Sequence, residues 1–405
     1  MTKELTIIGA GPAGMTAALF AARGGAQVTL IDGNATVGRK LLVTGAGRAN
    51  LTNRELSADR YTCADPAWLE SVFTRFGFAE LTAFLEGIGV LTYTTYDGWC
   101  YPLSESAQTV VDAFAAALNE AGPRILLDHK VISIRNTGGE SNKGFEIGFK
   151  TQRPHTCETL LVAAGGAAYP ALGSRGQLFP ILQALGHTII PPRPALAPVT
   201  CEMTPWKALQ GVRLDAHVKL YQGGALLAET TGNLIFTAWG LNGPAVMDLS
   251  HHISAHPGEN LRLELNPLFA SESALRALLR EKRGSPTPLA VLLGAVLPPK
   301  IPPALIKMAG FAPDIRVNEV SDKALPYLFA LLTALPFTVT GTRGFEFCQV
   351  SAGGVPLTEV DPQTMRSRIL PNLLLAGETL DVVGPCGGYN LHFAFATGAM
   401  AGMGL

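Results

Sequence analysis

An α/β fold whose parallel sheet is assembled from two separated stretches of chain is predicted by three observations. Leu5-Thr6-Ile7-Ile8 is a short apolar run that leads into a glycine-rich turn, an alanine-rich segment and a second apolar run. Pro191-Pro192-Arg193-Pro194 then interrupts the pattern, and the residues beyond it change character. A late apolar run, Leu373-Leu374-Leu375-Ala376, is again followed by glycines and an alanine-rich segment.

The first run reads as a strand, because a short unbroken apolar stretch suits burial on both faces of a sheet. Pro12–Arg23 reads as a helix: proline fits the first helical turn and alanine has the best helix propensity. Gln27–Ile31 is a second strand ending at Asp32, which completes a β-α-β unit. After the Gly- and Asn-rich segment Val43–Asn53, helices are expected around Ala67–Phe76, Ala79–Glu86 and Ala107–Asn119. Strands are expected at Arg124–Leu127, Lys130–Arg135, Phe145–Lys150 and Thr159–Ala163, the last ending in Ala164-Gly165-Gly166.

The proline cluster at 191–194 suits neither a helix nor a central strand. Beyond it, Val199–Cys201, Ala216–Gln222, Ala225–Glu229 and Leu261–Leu265 read as antiparallel strands joined at glycines. Ser271–Arg283, Pro288–Leu297 and Ala304–Met308 read as helices, and strand alternates with glycine again over Phe337–Gly354. Asn372–Ala376 is another buried strand, and the small residues of Tyr389–Gly402 suit a helix packed closely on a neighbour. The layout is one Rossmann-type domain, split by an insertion of β and α parts. No fixed-period repeat is present.

A chain of 405 residues is long enough for two or three domains. A net charge of −1 gives no electrostatic footprint for broad nucleic-acid or membrane binding. The six cysteines, Cys63, Cys100, Cys157, Cys201, Cys348 and Cys386, are scattered, with no Cys-x-x-Cys pair. That spacing argues against a zinc site or a disulfide framework and suits a reducing compartment. His251-His252 with His256 lacks an acid or cysteine to complete a metal set, so no metal is expected. The first residues run straight into a strand, and Leu325–Phe337, the most apolar stretch, is short and carries two prolines. A cytoplasmic, membrane-free protein is the expectation; oligomeric state is left open.

Gly9-Ala10-Gly11-Pro12-Ala13-Gly14 fits G-x-G-x-x-G between a strand and a helix. There Gly9 allows the turn, Gly11 lets backbone approach a pyrophosphate and Gly14 lets the helix pack on the sheet. Asp32 stands where an acid bonds a ribose hydroxyl. Leu373 to Glu378, then Asp381, supply a strand end with acids able to hold a ribityl chain; the Gly384–Asn390 loop opens a helix whose amides suit a flavin's pyrimidine edge. Two well-separated nucleotide-contacting segments suit an extended FAD better than NAD.

At this point the sequence resembles the HI0933-like (BaiN/RdsA-type) flavoprotein family nearly end to end. The resemblance rests on Gly38-Arg39-Lys40, Thr44 to Asn53, Ala164-Gly165-Gly166 with Tyr169-Pro170, and Phe236-Thr237. It continues through Gly240 to Ala245, Gly353-Gly354-Val355, and Gly377-Glu378 through Asp381 to Gly387-Gly388-Tyr389-Asn390. It implies an FAD domain over 1–192 and 340–405, a β-barrel-like insertion over 193–268 plus 336–350, and a helical subdomain over 269–335. It also implies that Gly45–Asn53, with Gly47, Arg48 and Asn50, and Gly353–Val355 lie along the isoalloxazine. Arg39 and Lys40 would sit near the pyrophosphate or flavin edge, and Val131 would meet the adenine through its backbone. Relatives carry a cysteine where this chain has Ala49, so a thiol acid at that position is not expected here.

Lys40, Arg48, Asn50, Cys386 and Tyr389 are the candidate catalytic residues, with no acid or base singled out. Cys386 precedes a helix start, which favours thiolate, although a small residue filling a turn is the plainer reading. His392 suits the core better than the flavin face. Tyr93, Tyr96, Trp99 and Tyr101, with Trp239, are candidates for a substrate wall. The expected activity is hydride transfer between non-covalent FAD and a small organic substrate, by amine oxidation or reduction of an activated C=C bond. No second G-x-G-x-x-G follows a later strand, so NAD(P)H would visit only transiently. The alternatives are reduction of uridine in ribosomal RNA, or a low-turnover RNA- or protein-interacting module using a basic stripe of Arg276, Arg280, Lys282 and Arg283.

Overall fold

A computed structural model describes residues 3–138 and 144–405. It divides into two compact units, Met1–Pro194 with Cys348–Leu405, and Ala195–Phe347.

The central sheet of the first unit has five strands, numbered in chain order: β1 (Glu4–Ile8), β2 (Gln27–Ile31), β3 (Arg124–Leu126), β4 (Leu160–Val162) and β5 (Leu373–Leu375). Their spatial order is β5-β4-β1-β2-β3, and every pair is parallel. Leu5, Ile7, Leu30, Leu160 to Val162 and Leu373 to Leu375 are all buried, as a sheet covered on both faces requires. The register brings Ile8, Ile31, Val162 and Leu375 level. The segments after four strands therefore leave one edge of the sheet together, and open α/β sheets bind ligands at that carboxyl edge.

Helix α1 (Pro12–Arg23) has the predicted bounds, with proline in its first turn. Helix α2 (Tyr389–Met403) lies against it. A Cβ on Gly398 would sit 2.2 Å from Ala13 O, and one on Gly402 2.6 Å from Ala17 O. Glycine at these two positions sets the distance between the helices, which is the close packing that the small residues predict.

Three smaller sheets flank the core. Thr52–Asn53, Trp99–Pro102 and Thr92–Thr94 form one in that order, and Val131–Asn136, Phe145–Phe149 and His155–Cys157 form another. The third pairs Ile190–Ala195 with Val350–Gly354. The Pro191–Pro194 segment is thus a strand in a two-stranded sheet, where it has a partner on one side only and its missing N–H groups are tolerated.

In the second unit six strands close a barrel, in the order Val199–Cys201, Gly240–Asn242, Ala225–Phe236, Arg213–Gln222, Leu261–Asn266, Leu335–Thr342. Leu214, Ala216, Val218 and Leu220 alternate inward, and Trp206 stacks on Phe337 with ring centroids 4.4 Å apart. Helices Glu272–Glu281, Leu289–Leu293, Ile301–Met308 and Ala324–Thr333 lie between the last two strands. The apolar stretch 325–337 is a ten-residue helix that runs into a barrel strand. Among the described residues no helix is long and apolar enough to cross a membrane.

Candidate functional site

The three motif glycines have different physical reasons for being glycine. Gly9 has φ +108°, and a Cβ there would lie 2.3 Å from Ala163 O; on Gly14 it would lie 1.8 Å from Gly9 O. Both are fixed by the protein's own packing. Gly11 has an ordinary φ of −82°, and a Cβ there would meet nothing within 4 Å. Neither conformation nor packing explains glycine at that position, whereas a group seated against the backbone at the start of α1 does. The space is a cradle that a side chain would fill, and it lies where the N–H groups of Ala13 and Gly14 and the helix dipole favour a phosphate.

Around this cradle the chain is tightly ordered. Asp32 Oδ2 accepts from Ala10 N–H at 2.7 Å, and Oδ1 accepts from the backbone and side-chain N–H groups of Asn34 at 2.8 and 2.9 Å. The acid therefore shapes the glycine turn itself. Gly38 N–H donates to Ala10 O at 2.8 Å, and Arg39 Nη1 to Asn34 Oδ1 at 2.9 Å. Val131 is buried and follows His129, whose N–H donates to Asp32 O at 2.9 Å.

Beside the cradle, Lys40 Nζ lies 2.6 Å from Glu378 Oε2, with both side chains largely buried. The other oxygen, Glu378 Oε1, accepts from Ser351 N–H at 2.9 Å and from Ser351 Oγ at 3.0 Å. Ser351 Oγ in turn accepts from Ala167 N–H at 2.9 Å. A Cβ on Gly166 would fall 2.1 Å from Ser351 Oγ and 2.6 Å from Glu378 Oε1, so this network is why Gly166 is glycine. Ser351 was not among the residues singled out from sequence. The available signal was one hydroxyl in Val350–Gly354, a strand buried at every position. Ala164 and Gly165 border a small cavity with Phe179 and Thr379, and the buried Thr379 Oγ1 has no hydrogen-bond partner. Gly377, at φ +67°, abuts Ala13.

The segment from Thr44 to Asn53 is strained. Gly45, Ala46, Gly47 and Ala49 all have left-handed φ, between +56° and +86°, and two of them carry a Cβ. Each such alanine costs on the order of 1 kcal/mol, and strain of this kind concentrates at functional sites. Ala49 is fully buried, so its methyl stands in the core with no thiol to offer. Arg48 is exposed, with its Cζ 4.7 Å from the Tyr101 ring centroid. Asn50 is buried, and the carbonyls around it assign its amide nitrogen to the side facing Thr52 O, at 3.3 Å, and Cys100 O, at 3.2 Å.

The C-terminal loop docks on the same small sheet. Gly388, at φ +96°, leaves only 2.4 Å between a notional Cβ and Thr52 O, and Asn53 Nδ2 donates to Gly387 O at 3.1 Å. Asn390 clamps the loop from inside: its amide accepts from Gly384 N–H at 2.9 Å and donates to Gly384 O at 2.8 Å. Tyr389 is buried, its carbonyl accepting from Tyr61 OH at 2.8 Å. Asp381 Oδ1 accepts from Gly353 N–H at 2.6 Å, and Gly354 packs against Thr379 O. Asn50, Tyr389 and Asn390 thus spend polar groups on holding the chain, and Lys40 and Arg48 are the candidate catalytic residues left with charge at the site. Cys386 is half-buried in the loop. Burial pushes other thiols up, Cys157 to about 11 and Cys201 to about 12, away from nucleophilic use.

His392 belongs to the core. Its Nε2 donates to Phe76 O at 3.1 Å, which makes Nδ1 the acceptor from Thr52 Oγ1 at 2.8 Å. Burial lowers its pKa to about 4. The proposed basic stripe is mostly spent on local partners. Arg276 pairs with Glu272 at 2.7 Å, Lys282 with Glu281 at 2.7 Å, and Arg283 with Asp322 at 2.9 Å and with Val317 O. Among the described residues no cluster of metal-ligating side chains is present.

Another polar cluster has the geometry of a Ser-His-Glu triad. His187 Nδ1 lies 2.7 Å from Glu359 Oε2, and Nε2 lies 3.0 Å from Ser367 Oγ. Yet Ser367 Oγ also accepts from Ile369 and Leu370 N–H, at 3.0 and 2.9 Å, and both Ser367 and His187 are buried. The cluster ties three loops together and presents no nucleophile.

The model of the HI0933-like protein Rossmann domain matches residues 3–404. The chain is 34% identical over 406 residues, 98% of each protein, to the 3-dehydro-bile acid delta(4,6)-reductase of Clostridium scindens. It is 30% identical over 398 residues, 97% of this chain and 96% of the relative, to the ribosomal RNA dihydrouridine synthase of Escherichia coli. Among solved structures, 3-ketosteroid delta1-dehydrogenase from Sterolibacterium denitrificans superposes with a TM-score of 0.54 over 99% of each chain at 12% identity, a likeness of fold. With its split parallel sheet, glycine cradle and inserted barrel, the chain belongs to the HI0933-like family.

Proposed function

We propose that the protein holds FAD non-covalently and reduces an activated carbon–carbon double bond in a small organic molecule, taking electrons from NAD(P)H that visits the site transiently. The observation that carries the reading is the contrast at the glycine motif. Gly9 and Gly14 are fixed by protein packing, while a Cβ on Gly11 would meet open space at the start of α1, which supports a ligand seated there. Thr379 Oγ1, buried without a partner beside Ala164 and Gly165, is a second polar atom suited to a bound group.

When bound, the flavin supplies two-electron transfer at its N5. The protein's share is placement and electrostatics. Backbone amides at the start of α1 bind the pyrophosphate, and Asp32 keeps them in position through Ala10. Glu378 and Asp381 offer carboxylate oxygens at the sheet edge, each held by a backbone N–H of Val350–Gly354. Lys40, held by Glu378, keeps a positive charge at the site, which favours a cofactor that becomes anionic on reduction. The close docking of Gly387 and Gly388 on Thr52 and Asn53 excludes water from one side.

Double-bond reduction is favoured over amine oxidation because the bile-acid relative, with 98% coverage of both chains, is a reductase by name. A ribosomal RNA substrate, suggested by the Escherichia coli relative, is disfavoured by the engagement of Arg276, Lys282 and Arg283 in local ion pairs and by the net charge of −1.

Anaerobic mixing of the purified yellow protein with NADH or NADPH, followed by a panel of conjugated enones, simple amines and ribosomal RNA, tests the reading. Bleaching by a nicotinamide and recolouring by an enone is the expected result. Bleaching by an amine, or recolouring by RNA alone, overturns the substrate assignment. A protein that binds no flavin overturns the whole.

A further inference from the structure

In the unit Ala195–Phe347, three arginines rest on aromatic rings. Arg262 Cζ lies 5.3 Å from the Tyr221 ring centroid and its guanidinium pairs with Glu264 at 2.7 Å. Arg276 lies 3.8 Å from Phe329 and pairs with Glu272 at 2.7 Å. Arg343 lies against two rings, 3.6 Å from Phe347 and 4.7 Å from Trp239. Among the described residues it has no carboxylate partner, and no hydrogen bond uses its guanidinium.

Physical chemistry makes that difference informative. Aromatic faces attract a cation but neither neutralise it nor accept its N–H groups as an oxygen does. Arg343 and Trp239 are half-buried, so the unpaired charge is partly desolvated, and Phe347 is 40% exposed beside it. The main chain beneath is fixed, because Arg343 N–H donates to Pro198 O at 2.9 Å, directly after the barrel strand Leu335–Thr342. The guanidinium is therefore held in place by its surroundings while its donors stay unspent. A guanidinium so held matches an oxyanion that can accept two parallel N–H bonds.

We infer that Arg343, Trp239 and Phe347 form a binding site for an organic monocarboxylate with a flat apolar body. The guanidinium takes the carboxylate, and the two rings take the adjoining apolar surface. One cation answers one charge, whereas a polynucleotide needs several phosphate contacts to bind well. The inference is independent of the flavin reading, since it concerns equilibrium binding and not turnover.

Calorimetric titration of the purified full-length protein with cinnamate, a planar carboxylate, tests it alongside cinnamyl alcohol, inorganic phosphate and oligouridylate. Cinnamate binds saturably and more weakly at high salt, while the neutral alcohol binds at least about tenfold more weakly. R343Q lowers cinnamate affinity by about tenfold or more, and R343K recovers only part of it. Cinnamate also perturbs tryptophan fluorescence in the wild type and not in W239F, which locates the ligand even if R343Q fails to fold. Equal binding of acid and alcohol, an unchanged affinity in folded R343Q, or a fluorescence response that survives in W239F overturns the proposal. Tighter Arg343-dependent binding of phosphate or oligouridylate overturns it in favour of a phosphate site.

Discussion

Lys40 and Glu378, 338 positions apart in sequence, meet at 2.6 Å between Nζ and Oε2. The pair joins the segment after β2 to the segment after β5, and Ser351 holds the carboxylate from behind. E378Q leaves Lys40 without its counter-charge in a largely buried position. It is expected to weaken FAD binding by about tenfold or more and to lower stability by on the order of 1–3 kcal/mol. Flavin retention on desalting and a thermal melt check both. S351A gives the same loss of flavin affinity in milder form, and an unchanged affinity in both variants removes the network from the cofactor site.

The glycine contrast predicts opposite outcomes from one methyl group. G11A is expected to fold with a melting temperature close to wild type and to lose FAD affinity by about tenfold or more. G14A places a Cβ 1.8 Å from Gly9 O and is expected to cost several kcal/mol, or to abolish soluble expression. Apo-protein melting curves and FAD titrations distinguish the two. If G11A binds FAD as the wild type does, the cradle is not where the pyrophosphate sits.

His392 sets a pH limit on stability. Its pKa is lowered to about 4 in the fold, chiefly by burial, against an ordinary value of 6.5. Between those values the unfolded chain binds a proton that the folded chain does not, so stability falls as pH drops through that window. Above pH 6.5 the contribution is fully present. The shift corresponds to on the order of 3 kcal/mol lost by pH 4. Chemical denaturation from pH 8 down to 4.5 shows this slope, and H392Q, though less stable at neutral pH, shows less of it.

The cluster of His187, Glu359 and Ser367 supplies a negative prediction. Because Ser367 Oγ accepts two backbone N–H groups and is buried, a fluorophosphonate probe is expected to leave the folded protein unlabelled. S367A strands those donors together with His187 and is expected to destabilise by on the order of 2–3 kcal/mol. Labelling of Ser367 in the native protein would show the site to be open and reactive.

Much of the first unit was legible because local and global signals agree there. Pro12 and the alanines after it specify α1, and the apolar runs that become β1, β2, β4 and β5 are buried on both faces and so show no alternation to misread. The three-stranded sheet of Thr92–Thr94, Trp99–Pro102 and Thr52–Asn53 was not legible, since strands of two to four residues carry no usable period. The helix Ala324–Thr333 was obscured by Pro326, which the first helical turn tolerates. At the site, residue types were easier to read than their uses. Asn50 and Asn390 look like ligand-facing amides in sequence, yet the Asn50 amide faces carbonyls of the small sheet and the Asn390 amide bonds the backbone of Gly384. Such a demand depends on where carbonyls end up in space, which spacing alone does not encode. Ser351 escaped notice for the same reason.

The contact of Gly398 and Gly402 with Ala13 and Ala17 also bears on biosynthesis. Chains fold from the N-terminus as they are made, but here α1 and β4 find α2 and β5 only after residues 373–403 have been translated. The contiguous unit Ala195–Phe347 is complete before then. During that interval the nascent first unit exposes the apolar edge of β4 and the alanine face of α1, a surface suited to a chaperone. Completion of the parallel sheet is consequently a late event, and a ribosome stalled before residue 373 holds a polypeptide that has the whole glycine motif and still lacks the strand and helix that pack beside it.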